Sequence, residues 1–383
     1  MTLKPASSFV VIPEGNLLLL LLLLVLPFAQ AQKPAPSKPV SEFIFAIGST
    51  SFPESHASTI VVLKNGGLMA AWFGGTKERN PDVAIWGSRR VAGKWSVPVE
   101  LEREPNVPSW NPVLFHTADG RLWLYAKVGP SPGGWHGVRR FSLDEGLTWS
   151  PREDLPTGFL GPIRAKPLIL ADGTIVAGSS VEGNGWNAWI ERSTDNAKTW
   201  TKFGPITVPK DYDAATKPWP EPAPDSVSMK PGSDAKPGTR KYDGIIQPSV
   251  IDLGGKHLRL YARSHTLAME IAIADSFDNG STWTQAHYLD MPNNNSGLDV
   301  IRLKDGRIVM IYNDTSDGRS PLNLAIGRDG EHFRMFRTLE DIVGQYSYPA
   351  IVEGPDGGLE ITYTWQRKTI KYVHVPLTEI PQQ

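Results

Sequence analysis

A short motif recurs along this chain of 383 residues and constrains its fold more than any other feature. The pattern Ser-x-Asp-x-Gly-x-Thr-Trp is complete at 142–149 and 276–283, and Ala replaces its Gly at 193–200. Weaker copies end at Trp95 and Phe333. Steps of 51, 83 and 51 residues separate the aspartates of four copies, Asp144, Asp195, Asp278 and Asp329. A period of about 51 residues has room for four short strands, which is the size of one propeller blade.

Each repeat also carries a β-hairpin signal, in which a β-branched or aromatic run meets a turn with Gly and a second run returns. The six hairpins are predicted at Thr59–Phe73, Pro112–Lys127, Pro167–Ser180, Pro248–Arg263, Asp299–Asn313 and Pro349–Thr364. Their turn glycines are separated by 53, 53, 82, 51 and 51 residues. Long helices are disfavoured, since the chain has 36 Gly and 33 Pro. We therefore predict an all-β protein, a six-bladed β-propeller of four-stranded blades with Asp-box turns.

The repeated motif itself is predicted to be structural. Asp and Ser can bond the backbone of a tight turn, Gly can adopt a positive φ, and Trp can pin the turn to its blade. The long step exceeds the period by 32 residues, and this excess predicts a loop insertion at about 209–240. The run Glu42–Ile47 is predicted to pair beside Thr369–Val375 and so to close the ring, which removes exposed strand edges.

The first 31 residues are predicted to be a secretory signal peptide. Lys4 precedes an apolar run from Leu17 to Leu26, and Ala29-Gln30-Ala31 forms a small-residue cleavage pattern. The apolar run is shorter than the roughly 20 residues that a membrane span needs. We expect cleavage after Ala31, a Pro-rich linker at 32–40, a propeller at 41–383, and a secreted or periplasmic protein. The absence of Cys fits export, because no disulfide has to form.

Charge and composition exclude several classes of function. The 39 basic and 40 acidic residues give a formal net charge of −1, so no net field attracts nucleic acid or an anionic membrane. A chain without Cys has no thiol nucleophile, zinc ribbon or disulfide scaffold. The sequence shows no phosphate-binding Gly loop, helical metal pair or EF-hand spacing. We expect a monomer with no cofactor, no metal, no nucleic-acid partner and no membrane span after signal cleavage.

The candidate functional residues lie near the predicted axis, because the innermost strand of each blade lines the channel. Positions near the starts of these strands are mostly polar or cationic: His56, Asn111, Arg164, Lys166, Gln247, Ser296 and Tyr348. Arg263, Arg319 and Arg367 add positive charge at or after the hairpin ends. Several guanidinium groups around one axis suit a carboxylate, since each planar fork donates two charge-assisted hydrogen bonds. For any single Arg, pairing with a surface acid is the alternative.

Box turns repeated through six hairpins after a signal segment resemble the sialidase (neuraminidase) superfamily, most closely its divergent bacterial branch with BNR Asp-box repeats. The resemblance covers residues 41–376 apart from the insertion, and it implies an exo-glycosidase acting on an acidic glycan, with three carboxylate-binding arginines. It also implies a Tyr nucleophile activated by a Glu, and an Asp that protonates the leaving group. Arg263 matches the second arginine and Arg319 matches the third. Tyr348, or failing that Tyr346, matches the nucleophile.

Two departures from the family pattern bear on catalysis. His56-Ala57-Ser58 stands where the family has Arg-Ile-Pro, and Gln247-Pro248-Ser249 stands where it has Glu-Pro-Ser. A neutral amide cannot take the proton of a phenol, whose ordinary pKa is about 10. The loop at 74–82 still offers Glu78 and Asp82 as general acids, and Arg367 is a possible replacement for the missing arginine on ring position alone.

Three functions stay open from the sequence. Beside hydrolysis, His56 could abstract a proton next to a uronate carboxylate, with Tyr348 as the acid and arginines stabilising the charge, which would make the chain a lyase or an unusual hydrolase. A non-catalytic glycan-binding propeller would explain Gln247. Arg164 and Asn111 are further substrate-binding candidates. Tryptophans that could stack on sugar rings are Trp110, Trp135, Trp186 and Trp365.

Overall fold

The structure is a computed structural model, and it describes residues 38–182, 185–209, 244–266 and 268–382. The expected signal peptide at 1–31 lies outside the described residues, as do linker residues 32–37 and all of the expected insertion after Pro209. In the described ranges, no helix has the length and apolar character needed to cross a membrane.

The described residues form six antiparallel sheets, and each sheet is one blade. The first strand, β1 (Val40–Phe43), belongs to the last blade. Blade 1 consists of β2 (Glu54–Val62), β3 (Leu68–Gly75), β4 (Ala84–Val91), β5 (Lys94–Trp95) and β6 (Val99–Glu102). Blade 2 consists of β7 (Ser109–His116), β8 (Leu122–Val128), β9 (His136–Ser142) and β10 (Glu153–Asp154). Blade 3 consists of β11 (Leu168–Ile169), β12 (Ile175–Val181), β13 (Asn187–Ser193) and β14 (Thr201–Ile206).

The second half of the ring repeats this arrangement. Blade 4 consists of β15 (Gly244–Gly254), β16 (His257–His265), β17 (Glu270–Ser276) and β18 (His287–Pro292). Blade 5 consists of β19 (Asp299–Arg302), β20 (Ile308–Tyr312), β21 (Leu322–Gly327) and β22 (Phe333–Glu340). Blade 6 consists of β23 (Tyr346–Glu353), β24 (Leu359–Trp365), β25 (Thr369–Val375) and β1. The prediction of a six-bladed all-β propeller is confirmed. Blade 1 differs in detail, since β5 and β6 both pair with β4 as its outer edge.

The first strands of the blades face the axis and contact one another around the ring. β2 contacts both β7 and β23, β15 contacts β11 and β19, and β19 contacts β23. The ring closes where β1 pairs antiparallel with β25, from Val40 opposite His374 to Phe43 opposite Lys371. The sequence predicted this pairing from Glu42–Ile47, whereas the strand begins earlier and includes Val40, the last residue of the expected linker. Closure leaves the last blade with four strands and protects its edge.

The hydrophobic core lies between the stacked blades rather than in one central layer. One cluster joins blades 1 and 2 and includes Val61, Met69, Phe73, Leu114 and Leu124, all buried. Every residue of β3 is buried, because the strand is covered by neighbouring blades on both faces. This explains why the middle strands read as continuous apolar runs instead of alternating ones.

The box turns connect the third and fourth strands of their blades. In the turn after β9, Ser142 Oγ donates to Asp144 Oδ1 at 2.7 Å and Thr148 Oγ1 donates to Asp144 Oδ2 at 2.6 Å. The hydrogen bonds from the Thr148 side chain and backbone and from Ser142 lower the pKa of Asp144 to about 2. Gly146 has a φ of 84°, and Ala197 adopts a φ of 68° at the same place in the next box.

Candidate functional site

Four innermost strands carry a bulge at the same level of the channel. The register shifts in β2, β7, β15 and β23, and the bulged positions hold Ala57, Asn111, Gln247 and Tyr348. These four residues have φ values of 57°, 37°, 56° and 53°. A left-handed conformation outside Gly is strained by about 1–3 kcal/mol, so it persists only where the surrounding structure imposes it. Such bulges re-aim side chains next to functional sites.

The ring of Tyr348 lies at the centre of a group of cationic and polar side chains. The guanidinium carbons of Arg164, Arg263 and Arg319 lie 5.3, 5.7 and 5.6 Å from the centre of the Tyr348 ring. The His56 ring is 4.4 Å away between ring centres. We call His56, Arg164, Arg263, Arg319 and Tyr348 the axial cluster. Blades 1, 4 and 6 and the segments before β11 and after β20 thus meet at one tyrosine.

Two arginines of the axial cluster are held by a shared asparagine. Arg263 Nε donates to Asn295 Oδ1 at 2.7 Å, and Arg319 Nη2 donates to the Asn295 carbonyl at 3.5 Å. Each arginine is only 8% exposed. Arg263 Nη1 also donates to Tyr348 Oη at 2.6 Å, whereas the buried Nη1 of Arg319 has no hydrogen-bond partner among the described residues. A buried donor without a partner is unfavourable, and an anionic ligand would satisfy it.

Like charge is crowded around Arg319. Burial, followed by the positive charge of Arg263, lowers the pKa of Arg319 to about 10. Burial also lowers the pKa of Arg164, which donates to the carbonyls of Leu298 and Pro349 beneath the cluster. Among the described residues, the site therefore holds more positive charge than its carboxylates balance, as expected for a site that receives an anion.

Arg367 and the loop at 74–82 form one side of the site. Arg367 Nη1 donates to Glu78 Oε2 at 2.5 Å, and Arg367 Nε donates to Gln345 Oε1 at 3.3 Å. Burial is the main cause of the lowered pKa values of His56 and Arg319, and the charge of Arg367 lowers both further. Asp82 is exposed and accepts hydrogen bonds from the backbone and hydroxyl of Thr76, so it fastens its own loop.

His56 is buried and neutral. Burial, and then the charges of Arg367, Arg319, Arg263 and Arg164, hold the pKa of His56 well below its usual range. Its Nδ1 lies 2.9 Å from Thr364 Oγ1, which also accepts from the Ala57 backbone. An uncharged imidazole beside a tyrosine retains one nitrogen lone pair that can accept a proton.

Gln247 connects the axial cluster to a carboxylate that the sequence analysis did not single out. Its Oε1 accepts from Arg263 Nη1 at 3.3 Å, and its Nε2 donates to Tyr348 Oη at 3.4 Å and to Glu182 Oε1 at 3.3 Å. Burial raises the pKa of Glu182, although the charge of Arg263 opposes the rise. Glu182 thus lies two hydrogen bonds from Tyr348.

Lys127 is a second buried group that the sequence analysis did not single out as a site residue. It pairs with Trp110 on the innermost strand of blade 2, as Arg263 pairs with Ile246 in blade 4, so the two cations occupy equivalent places. Its Nζ donates to the carbonyls of Asn111 and Pro162. Complete burial lowers the pKa of Lys127 to about 7, against the charges of Glu191 and Glu182. The Asn111 carbonyl therefore has a structural role as an acceptor for Lys127.

Some residues predicted for the site lie elsewhere. Tyr346 packs in the core between blades 5 and 6, where its hydroxyl accepts from Gln366 Nε2 at 3.2 Å. Lys166 pairs with Asp299 at 2.9 Å below the cluster. Trp365 packs against Phe43 and Tyr346 in the core.

Two other tryptophan positions are closer to the site. The guanidinium carbon of Arg263 lies 5.0 Å from the centre of the Trp186 ring, which is partly exposed. Trp110 is buried, donates to the Gly129 carbonyl at 2.7 Å and packs against Trp135, 5.4 Å away between ring centres. Trp186 is therefore the tryptophan that is best placed beside the arginines.

A group of possible metal ligands lies in blade 6, outside the axial cluster. The ligand atoms of Asp356, Glu360 and His374 lie within 4.8 Å of one another. His374 Nδ1 is 3.1 Å from Glu360 Oε1 and Nε2 is 3.4 Å from Asp356 Oδ2. The contact with Glu360 raises the pKa of His374. A protonated imidazole bridging two carboxylates explains this arrangement without a metal.

Comparison with known proteins supports the fold assignment. The BNR repeat-like domain family matches residues 66–361. The NanB sialidase from Streptococcus pneumoniae has a TM-score of 0.66 at 12% identity, covering 89% of this chain and 71% of that one. The intramolecular trans-sialidase from Ruminococcus gnavus has a TM-score of 0.66 at 13% identity, with coverage of 89% and 98%. A protein of unknown function from Dyadobacter fermentans has a TM-score of 0.68 at 16% identity, also with coverage of 89% and 98%. No curated protein matches the sequence.

Proposed function

Because this chain belongs to the BNR repeat-like domain family, a divergent branch of the sialidase superfamily, we propose that it is an exported, monomeric enzyme acting on glycans. The reaction we propose is exo-hydrolysis of the glycosidic bond of a carboxylate-bearing sugar. The observation that carries the proposal is the buried Nη1 of Arg319, which has no partner in the described part of the chain and lies close to Arg263 and Tyr348. Two guanidinium groups beside one tyrosine suit a sugar carboxylate held over a nucleophile.

In the proposed reaction, Tyr348 Oη attacks the anomeric carbon while the bond from that carbon to the leaving oxygen breaks. The phenol proton is released to solvent, and Arg263 and Gln247 donate hydrogen bonds to Oη, which stabilises negative charge on it. We assign Glu78 as the proton donor to the leaving oxygen. A sugar carboxylate that binds Arg367 would release Glu78 from its ion pair, and Glu78 would then take up a proton from solvent, which balances the proton that the phenol releases. Water then hydrolyses the glycosyl–tyrosine bond and restores the phenol proton.

A second candidate is elimination on a uronate glycan, which is supported by the position of the His56 ring, 4.4 Å from the Tyr348 ring between ring centres. In that reaction, His56 removes the proton from the carbon next to the carboxylate and the bond to the leaving oxygen on the neighbouring carbon breaks. A carbon–carbon double bond forms, and Tyr348 gives its proton to the leaving oxygen. Arg263 and Arg319 would stabilise the intermediate charge.

Two assays on the full propeller distinguish these reactions. A fluorogenic sialoside reports hydrolysis, and ultraviolet absorbance reports unsaturated products from a panel of uronate glycans. Tyr348→Phe should abolish either activity, whereas Tyr346→Phe, two residues away in the core, should retain it. Silence in both assays together with measurable glycan binding would replace the enzyme proposal with a binding protein. Equal activity of wild type and Tyr348→Phe would contradict it.

A further inference from the structure

Glu182 accepts a hydrogen bond from Gln247 Nε2, and neither the sequence pattern nor the proposed reaction uses this carboxylate. It directly follows β12, and its Oε1 accepts from Ser180 Oγ at 3.0 Å as well as from Gln247 Nε2. Gln247 is 2% exposed, so its amide has no bulk water to bond instead. The contact between blade 3 and blade 4 therefore decides how this amide is oriented.

The partners of Gln247 define which end of the amide faces which group. Arg263 has only donors, so the amide atom 3.3 Å from its Nη1 must be the oxygen. An ionised Glu182 has only acceptors, so the amide atom beside it must be the NH2 group. The same NH2 group lies 3.4 Å from Tyr348 Oη. Arg263 and Glu182 together hold the amide in one of its two orientations.

This orientation determines the role of the tyrosine oxygen. Tyr348 Oη accepts from Arg263 at 2.6 Å and from the Gln247 NH2 group, so its own proton points away from both. A carboxylate at position 247 would instead accept that proton directly. The chain thus supplies two donors where a carboxylate base would stand, and both stabilise negative charge on Oη.

We propose that Glu182 is a positioning residue, which orients Gln247 so that its NH2 group donates to Tyr348 Oη. The proposal rests on the function proposed above, in which Oη attacks or donates to a glycan. When Glu182 takes up a proton it can donate as well as accept, and it no longer selects the NH2 end of Gln247. Activity should then decline as acid protonates Glu182.

The first test compares the kinetics of Glu182→Gln with those of wild type. Glu182→Gln should lower kcat by about 10- to 100-fold and leave KM within about twofold, because the variant disturbs the supporting contacts and not the carboxylate-binding arginines. The acid limb of the kcat profile should disappear in this variant. Glu182→Asp, which keeps the acceptor, should recover part of the lost kcat.

The matched control is Glu191→Gln. Glu191 is a buried carboxylate of the same blade that bonds Ser179 Oγ and the Gly161 backbone and not Gln247. Its substitution removes a buried negative charge without changing the Gln247 contacts, so kcat per folded molecule should stay near that of wild type. A kcat for Glu182→Gln within twofold of wild type, or the same loss in both variants, would overturn the proposal.

A measurement that needs no turnover separates this proposal from the proposed function. The side-chain NH2 signals of Gln247 in a 15N-labelled protein should shift with the titration of Glu182 in wild type, and this shift should be absent in Glu182→Gln. If wild type turns over no substrate but shows this titration, only the proposed function fails. If the Gln247 signals are indifferent to Glu182, the positioning role fails even in an active enzyme.

Discussion

The Asp-box turns and the axial cluster use charged side chains in opposite ways. In the box of blade 4, Asp278 accepts from Ser276 Oγ and from the backbone and hydroxyl of Thr282, at 2.7 to 2.8 Å. In the axial cluster, no described residue bonds Nη1 of the buried Arg319, and two further guanidinium groups lie around Tyr348. The box turn satisfies its carboxylate within eight residues, whereas the cluster leaves a buried donor that the proposed anionic ligand would satisfy.

This difference indicates which charged side chains stabilise the propeller and which have a binding role. A satisfied side chain that bonds its own turn stabilises the fold locally and needs no ligand. Buried like charges with free donors destabilise the fold, and their presence indicates a binding role. Substitutions in the two regions should therefore have opposite effects on stability and on ligand binding.

The largest expected effect comes from Arg319→Met. Losing a buried charge-assisted donor should weaken binding of a sugar carboxylate by about 100-fold. The free energy of unfolding should stay equal or rise, because the variant removes a buried charge repelled by Arg263. Calorimetric titration with N-acetylneuraminate and with glucuronate, beside urea unfolding, measures both quantities. Loss of stability with unchanged affinity would reverse the comparison.

Lys127 is another buried cation that should destabilise the fold, and this effect should depend on pH. Its folded-state pKa of about 7 lies below the unfolded value of about 10.4, so the unfolded state binds more protons between these values. Stability should therefore rise with pH by about 2 kcal/mol between about pH 6.5 and 8.5. Lys127→Met should remove this rise, and urea unfolding of both proteins across the range tests it. Parallel pH profiles of wild type and Lys127→Met would contradict the prediction, because they would mean that folding does not lower the pKa of Lys127.

Asp278→Ala should have the reverse pattern of Arg319→Met. It removes side-chain acceptors for a turn, which lowers the free energy of unfolding by about 1 kcal/mol, while ligand affinity should not change. Slight desolvation raises the pKa of the exposed Asp278, but the hydrogen bonds from Thr282 and Ser276 outweigh it and lower the pKa to about 2. The stabilisation by Asp278 is thus present above about pH 4 and declines as pH falls towards 2. A change in affinity would show that the boxes are coupled to the axis.

The smallest expected effect is that of Ala197→Gly within the boxes. Ala197 has a φ of 68°, where the two complete boxes have Gly146 and Gly280. Glycine relieves the left-handed strain but increases the entropy of the unfolded chain, so a net stabilisation of about 0.5 kcal/mol is expected. Thermal unfolding against wild type measures it. Destabilisation would mean that the Ala197 methyl group contributes packing that exceeds its strain.

The fold was predictable because its signal repeats. The box turns recur at a fixed spacing. Each requires only local hydrogen bonds such as those of Asp144, so a short stretch of consecutive residues is enough to identify it. Closure by the N-terminal strand was predictable because the last hairpin leaves a place for one more strand. The exact strand limits were less accessible, since they depend on pairing in the folded ring.

The site was only partly predictable from the sequence. His56, Arg164, Arg263, Arg319 and Tyr348 were named as candidates from ring position, and the structure brings them around one ring. Glu182 and Asn295 carry no motif, and their contacts join segments 65 and 32 residues apart. The sequence did contain one signal for Glu182. It directly follows the second strand of blade 3, and Arg263 lies near the end of the second strand of blade 4. Side-chain direction at the bulges decides such contacts, and spacing alone does not contain it.

The measurement that tests the account most directly is a crystal structure of Tyr348→Phe with a bound acidic monosaccharide. The account predicts that the sugar carboxylate lies within hydrogen-bond distance of both Arg263 and Arg319 and that the sugar ring lies above the side chain at position 348. A sugar bound on an outer surface, or one whose carboxylate points to solvent while Arg319 keeps an unpartnered nitrogen, would contradict it.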